Sequence, residues 1–120
     1  MPSEKATQNA ILREFGANPA IRLWRQNTGA AVVGDVPRIM ALCKRAGLAV
    51  RLVRFGVPGQ ADLTGILDDG RRLEIEVKSA TGRQTTDQAN YQRMIGRLGG
   101  VYVLARSVDD VRAALNRDGL

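Results

Sequence analysis

Helical and strand patterns alternate along the N-terminal half of the chain. Apolar residues recur at helical spacing from Glu4 to about Gly16, which predicts an opening helix. The segment IRLWRQ that follows is typical of a strand. A short helix is expected between Pro37 and Gly47, because proline suits a first helical turn and glycine a helix end. The β-rich segment LAVRLVRF predicts a further strand at positions 48–55.

Two strands joined by a tight turn form the clearest pattern in the C-terminal half. ADLTGIL and RRLEIEVKS flank the turn residues 68–70, which contain the Asp-Gly pair favoured in hairpins. A helix capped by Thr85 or Thr86 is expected to end near Leu98, and VYVLA predicts a buried strand before a last helix. The order of elements predicts an α/β fold with a central mixed β-sheet flanked by helices, in one domain spanning residues 1–120.

The composition narrows the chemistry open to such a domain. Eighteen Lys and Arg against twelve Asp and Glu give a formal charge of +6, which suits a polyanionic partner or simple solubility. With no histidine and Cys43 as the only cysteine, disulfide frameworks and histidine-dependent sites are excluded. Any metal needs oxygen ligands, which favours Mg²⁺ or Mn²⁺. No segment is typical of a signal peptide or a membrane span, so a cytoplasmic protein is expected.

The strand LEIEVKS carries the candidate chemistry. It places Glu74, Glu76 and Lys78 on one face, which by itself is also typical of a solvated strand face. Pairing around the turn at 68–70 sets residues whose numbers sum to about 138–139 opposite each other, so Asp62 should face Glu76. Because like charges directly opposite are destabilising, this register favours a divalent cation between two carboxylates. Lys78 can then orient or deprotonate a water, or stabilise charge on a phosphate.

These motifs resemble the VRR-NUC family of the PD-(D/E)xK nuclease superfamily. The resemblance extends over about residues 4–115, through RQNTG, GVPGQADLTGIL, DGRRLEIEVKSATGRQTTDQANYQRM and GGVYVLARS. It implies a restriction-endonuclease-like α/β core and Mg²⁺- or Mn²⁺-dependent cleavage of DNA. Small stand-alone members, often encoded by phage, resemble dimeric resolvases of branched DNA such as Holliday junctions. Here QAD replaces the Pro-Asp of the superfamily name, and the missing proline is not a ligand.

The resemblance also implies roles for individual residues. Asp62 and Glu76 match the two metal carboxylates, Val77 supplies a carbonyl ligand, and Lys78 matches the catalytic lysine. The family also uses a glutamate on its first helix, implied here to be a catalytic residue and a further metal ligand, for which this chain offers Glu4 and Glu14. Helical geometry favours Glu4, which lies almost in line with the apolar stripe, although it also suits a first-turn charge that complements the helix dipole.

Further residues are candidates for contact with the substrate. Gln88 matches a glutamine that approaches the phosphate or the attacking water, and it also suits a polar first helical turn. Gln92 lies one turn later and can share that face. The motif R-x-N-x-G and the other basic residues suggest phosphate contacts, although structural turn residues and ordinary surface charges fit as well. The candidates are Arg25, Asn27, Arg51, Arg54, Arg71, Arg72 and Arg83. Trp24, in an apolar strand, is expected in the core, with a base-stacking platform as the alternative.

The sequence therefore predicts a metal-dependent endodeoxyribonuclease that acts on branched DNA as a homodimer, in a bacterial or phage-infected cell. The dimer is expected because one small domain offers one site, whereas paired cuts at a junction need two. A non-catalytic basic DNA-binding module is the alternative from another class. A flap, duplex-repair or restriction nuclease of the same fold is the alternative among enzymes.

Overall fold

The structure is a computed structural model, and it describes residues 2–26, 35–49 and 56–119. By its internal contacts the chain divides into two compact units, one formed by residues 1–26 with 58–120 and the other by residues 27–57. The candidates Asn27, Arg51 and Arg54, and most of the strand predicted at 48–55, lie outside the described residues. Among the helices of the described segments, none is long and apolar enough to cross a membrane.

Helices and strands follow the order that the sequence pattern predicts. The opening helix, the hairpin, the helix after the turn-rich loop, the buried strand and the last helix all form where expected. The elements are α1 (Glu4–Gly16), β1 (Ile21–Arg25), α2 (Val36–Arg45), β2 (Leu63–Leu67), β3 (Arg72–Val77), α3 (Thr86–Arg97), β4 (Val101–Ala105) and α4 (Val108–Arg117).

The four strands form one open mixed sheet in the order β1-β2-β3-β4. The first three strands pair antiparallel, whereas β3 and β4 run parallel. In the hairpin, Leu63 pairs with Ile75 and Thr64 with Glu74, so the predicted register is confirmed. Gly70 closes the turn at φ +89°, a conformation that glycine adopts without strain. The sheet is flanked by helices, which confirms the α/β class.

One face of the sheet forms the apolar core with α1 and α4. Alternate residues of the strands point to this face and pack against helix residues such as Ile11 and Val111, both of which are fully buried. Ser3 caps α1 by accepting a hydrogen bond from the Ala6 N–H at 3.1 Å, and Ser107 caps α4. This core holds the sheet in place, and the polar residues Glu74 and Glu76 lie on the opposite face.

The opposite face bears α3, which packs on β4 through Tyr91 and Ile95. On the edge strand β1, alternation sends Leu23 into the core and Trp24 to this second face. Trp24 is 42% exposed, so the prediction that it belongs to the core is wrong. The apolar character of IRLWRQ gave no sign of which face would remain open.

In the second unit, α2 begins earlier than the sequence pattern indicated. Asp35 caps it by accepting a hydrogen bond from the Arg38 N–H at 3.3 Å, and Pro37 lies in the first turn as expected. Gly47, at φ +72°, follows the helix end. Cys43 on this helix is half-buried, which suits a packing residue.

Candidate functional site

Asp62 and Glu76 meet where the regular pairing of the hairpin ends. The backbone N–H of Asp62 donates to Glu76 Oε2 at 3.2 Å, and the Val77 N–H donates to Asp62 Oδ2 at 2.9 Å. Beyond the last backbone pair of the hairpin, these two backbone N–H groups therefore donate to side-chain carboxylates instead of to backbone carbonyls. The structure thus brings together the two acids that the hairpin register placed opposite each other.

The two carboxyl groups lie in surroundings that oppose their charge. Glu76 is only 3% exposed, and burial together with the charge of Asp62 raises its pKa to about 7. Burial also raises the pKa of Asp62, against the lowering effect of the Val77 N–H. Glu74, on the same face, is fully buried as well. The interpretation of this strand face as solvated is therefore wrong.

Lys78 lies beside these acids, just past the end of β3. Its Nζ is 3.6 Å from Glu76 Oε1, and its side chain is largely buried. Its backbone N–H donates to the Ala105 carbonyl at 3.0 Å, which continues the parallel pairing with β4 by one residue. The positive charge lowers the pKa of both carboxyls, although burial outweighs it. Lys78 is thus held close to the acids while remaining near the end of the strand.

Gln88 connects α3 to the site. In the first turn of α3, its Oε1 accepts from the Thr85 N–H at 2.9 Å while the Thr85 hydroxyl accepts from the Gln88 N–H at 3.1 Å. This reciprocal capping box fixes the side chain. Its Nε2 is then free to donate to Glu76 Oε1 at 3.0 Å. Gln88 therefore contacts a site carboxylate.

Gly59 allows the segment before Asp62 to lie against α3. Its φ is +78°, and a Cβ atom there would come within 2.1 Å of the Asp87 carbonyl oxygen. Only glycine combines this backbone conformation with so close an approach. The GVPGQ motif therefore has a steric reason in the structure, because it brings the start of β2 next to the helix turn that carries Gln88.

Glu4 and Glu14 occupy different ends of α1. Glu4 Oε1 accepts from the Ser79 N–H at 3.1 Å, and its charge contributes to the raised pKa of Asp62. Glu14 lies about 15 Å further along the helix at 1.5 Å per residue, in an ion pair with Arg112 of α4. The structure brings Glu4 to the site region and keeps Glu14 away from it.

The remaining candidate residues make their hydrogen bonds away from the two site carboxylates. Arg25 donates to Gln8 and to Asn9 of α1, so its guanidinium joins the strand to the helix. Gln92 accepts from Gln84 Nε2 at 2.8 Å rather than contacting a site carboxylate. Arg83 is exposed on the loop before α3. None of these three contacts Asp62 or Glu76 in the part of the chain that the structure describes.

The sequence interpretation missed Arg106 near the site, and it missed the partners of Glu74. Arg106 donates to the carbonyls of Ser79 and Gly82, and so holds the loop that follows Lys78. Parallel pairing of β3 and β4 brings their carboxyl ends together. This pairing is the signal from which Arg106, just after β4, could have been placed near Lys78. Glu74 accepts from Tyr91 and from Arg72 Nε at 2.7 Å. Its partner on α3 could not be identified from local alternation.

The donor set was tested for its fit to a divalent cation. Among the described residues, no group of three His, Cys, Asp or Glu side chains is placed to hold a metal ion, so a closed acidic cage is absent there. Asp62 and Glu76 provide two carboxylates. The Val77 N–H points to Asp62, and in an extended strand the carbonyl of the same residue points to that side too. Two carboxylates with one carbonyl fit Mg²⁺, which keeps several of its waters.

Comparisons with protein-family models, curated proteins and solved structures find no match for this chain. The sequence motifs and the geometry around Asp62 and Glu76 are therefore the grounds on which a function can be proposed.

Proposed function

We propose that the protein is a Mg²⁺- or Mn²⁺-dependent endodeoxyribonuclease of the VRR-NUC type, with a restriction-endonuclease-like core. The observation that carries the proposal is the pairing of Asp62 and Glu76 across the hairpin with the Lys78 ammonium 3.6 Å from Glu76. Burying two like charges together costs stability, and a cation recovers that cost. Perturbed carboxyl groups of this kind are concentrated at functional sites.

Each residue of the site has a distinct part in this proposal. Asp62, Glu76 and the Val77 carbonyl would hold the cation, which would supply Lewis-acid polarisation of the phosphodiester when bound. Lys78 Nζ orients the attacking water or stabilises negative charge on the phosphate. Gln88 fixes the Glu76 carboxylate, whereas Glu4 adds negative charge beside Asp62.

A homodimer acting on branched DNA is part of the same proposal. The formal charge of +6 on 120 residues favours a polyanionic partner. One unit contains one pair of carboxylates, so two nicks across a junction require two protomers. Shape, set by the dimer, would select the substrate, because the acids and the lysine act on the phosphodiester backbone, which is common to all sequences.

The proposal is tested by a cleavage panel in Mg²⁺ and in Mn²⁺. Labelled four-way junction, flap, linear duplex and single strand are compared at one salt concentration, with EDTA and the Asp62→Asn protein as controls. We expect metal-dependent cleavage that both controls abolish, strongest on branched DNA. Tight DNA binding without cleavage of any substrate in either metal would instead identify a non-catalytic binding module.

A further inference from the structure

On the face of the sheet that carries the two acids, the side chains form three rows, and the acids are one of them. Because directly paired residues share a face, the register defines each row across the strands. The first row is Arg22, Ile66 and Arg72, the second is Trp24, Thr64 and Glu74, and the third is Asp62 with Glu76. A basic row, an aromatic row and the carboxylate row thus succeed one another along the strands.

The spacing of these rows matches an extended nucleotide chain. Two residues of a strand span about 6.5–7 Å, and neighbouring strands lie about 4.8 Å apart. Measured along the strands, the row of Trp24 is therefore about 7 Å from the row of the two carboxylates. The row of Arg22 and Arg72 lies about 7 Å further in the same direction. A strand of DNA that places a phosphate at Asp62 would place the adjacent base near Trp24.

Trp24 is available for such a contact. α3 packs on β4 at the far side of this face, and the Trp24 side chain on the edge strand stays 42% exposed. Ile66, in the next row, is 51% exposed. An exposed indole next to basic side chains is the combination that binds single-stranded nucleic acid, through stacking and phosphate contacts.

The two arginines of the first row differ in how strongly they are held. Arg72 Nε donates to the buried Glu74 at 2.7 Å, and this ion pair fixes the direction of a side chain that remains half exposed. Arg22 is exposed, and among the described residues it has no ion-pair partner. Arg22 therefore offers the uncompensated charge on this side of Trp24, whereas Arg72 offers an anchored guanidinium.

We propose that Trp24 is a stacking platform for an unpaired nucleobase beside the phosphodiester that is cut at Asp62 and Glu76. Arg22 and Arg72 contact the phosphate on the far side of that base. The substrate is then DNA with a single-stranded segment at the cut, as at a flap or an opened branch point, because the faces of paired bases are covered by their neighbours. This inference rests on the proposed nuclease function and specifies its substrate class.

Fluorescence provides a direct test, since Trp24 is the only tryptophan in the chain. The Asp62→Asn protein, which does not cut, is titrated with a single-stranded oligonucleotide, a flap and a blunt duplex. Tryptophan emission reports stacking, and the anisotropy of a dye on the DNA reports binding. We expect quenching with the single strand and the flap, and less with the duplex. An abasic site at one defined position of the flap should abolish the quenching.

Matched substitutions distinguish base stacking on Trp24 from non-specific electrostatic attraction between the protein and DNA. Relative to Asp62→Asn alone, Trp24→Leu should weaken binding to the flap roughly 5- to 100-fold, the range expected for loss of one stacked base, while Trp24→Phe retains most of it. Leu98→Ala, which removes an exposed apolar side chain at the C-terminal end of α3, is the control and should bind like the parent. Thermal unfolding of each variant checks that the exposed position leaves the fold intact.

The outcomes distinguish this inference from the proposed function. Unchanged emission at saturating DNA, or equal flap binding by Trp24→Leu and its parent, would overturn the stacking platform even if the wild-type protein cleaves DNA. Conversely, absence of cleavage by the wild-type protein would overturn the nuclease, while quenching by the single strand would still support Trp24 as a base-binding residue.

Discussion

The Asp62 backbone N–H donates to Glu76 Oε2 at 3.2 Å, so the second acid is tied to the strand that carries the first. The Asp62 carboxylate is tied in turn to the Val77 N–H. Neither acid can move away from the other without loss of a hydrogen bond at the end of the hairpin. The separation of the two negative charges is therefore set by the sheet, and it exists before any cation arrives.

Substitution of Asp62 by Asn should abolish cleavage and preserve the fold. An amide can still accept the Val77 hydrogen bond through its oxygen, and it no longer repels Glu76. We expect cleavage to fall by at least about 10³-fold, since metal coordination supplies several kcal/mol of transition-state stabilisation. Metal-free stability at neutral pH should be equal to or above that of the wild type in thermal unfolding. Full cleavage by Asp62→Asn would remove Asp62 from the site.

Glu76→Gln should also abolish cleavage, but with a cost to stability that Asp62→Asn does not have. Both oxygens of Glu76 accept hydrogen bonds, Oε2 from the Asp62 N–H and Oε1 from Gln88 Nε2. An amide provides only one acceptor, so one of these donors would face an NH₂ group. Chemical denaturation of the two variants side by side measures the difference, and an equal cleavage rate for Glu76→Gln and wild type would exclude Glu76 as a ligand.

Lys78→Ala should separate catalysis from metal binding. Lysine is not a ligand for a divalent cation, and its positive charge 3.6 Å from Glu76 opposes the approach of one. We expect cleavage to fall about 10²–10⁴-fold, the usual range for loss of an acid–base group, while Mn²⁺ binds as well as or better than in the wild type. Isothermal calorimetry without DNA measures the binding. A folded Lys78→Ala protein that no longer binds Mn²⁺ would contradict this role.

The two glutamates of α1 provide a matched pair of variants. Glu4→Gln keeps the acceptor for the Ser79 N–H but removes the charge beside Asp62, and we expect cleavage to fall roughly 10- to 100-fold, as for a group that acts on a ligand. Glu14→Gln removes an exposed ion pair with Arg112, which contributes little to stability because solvent screens it, and should leave cleavage unchanged. Initial cleavage rates on one substrate measure the ranking. A larger loss in Glu14→Gln than in Glu4→Gln would contradict the assignment of Glu4 to the site.

The raised pKa of Glu76 makes the metal-free protein less stable as pH rises. Below pH 4.5 the group is protonated in both the folded and the unfolded chain. Between about pH 4.5 and 7 the unfolded chain loses the proton while the folded protein keeps it, so the folded state binds more protons and its stability falls with pH. Burial shifts the pKa of Asp62 in the same direction.

Thermal unfolding in EDTA across this pH range measures the effect. Glu76→Gln should show a smaller loss of stability from pH 4.5 to 7 than the wild type, whereas Glu14→Gln should follow the wild type. Added Mn²⁺ should restore stability above pH 7, where the Glu76 carboxyl is charged in the folded protein. Parallel curves for wild type and Glu76→Gln would show that Glu76 has an ordinary pKa.

DNA binding should depend strongly on salt and on branching. Two protomers would carry a formal charge of +12, so several phosphates are neutralised together, and log affinity should fall with log salt at about −0.9 per contact on B-form duplex. Light scattering at micromolar concentration, with competition between four-way and linear DNA at fixed salt, measures both properties. A strict monomer without junction preference would exclude the dimer and leave the metal site unaffected.

The hairpin and its register could be predicted because both depend on neighbouring residues. The Asp-Gly turn and the alternation on either side fix the pairing of Leu63 with Ile75, and this pairing alone brings Asp62 to Glu76. The ends of α3 were predictable for the same reason, since caps such as Thr85 act within one turn, whereas α2 begins earlier than its sequence pattern indicated.

Features that depend on distant packing could not be predicted. Alternation shows that Glu74 and Glu76 share a face, but their burial follows from α3, whose contacts with the sheet are not encoded locally. Trp24 is the converse case, an apolar residue on a part of that face which remains open. The contact of Arg25 with α1 likewise requires the two elements to be already placed.

The side chain of Gln88 has one oxygen and one nitrogen, and both are in use. The oxygen completes the cap of α3, while the nitrogen donates to Glu76. A change of charge on Glu76 alters the strength of that second bond, because a charged acceptor binds an N–H more tightly than a neutral one. The first turn of α3 should therefore open more often when Glu76 is protonated. Amide hydrogen exchange at Thr85 and Gln88 would then follow the ionisation of an acid twelve residues before Gln88.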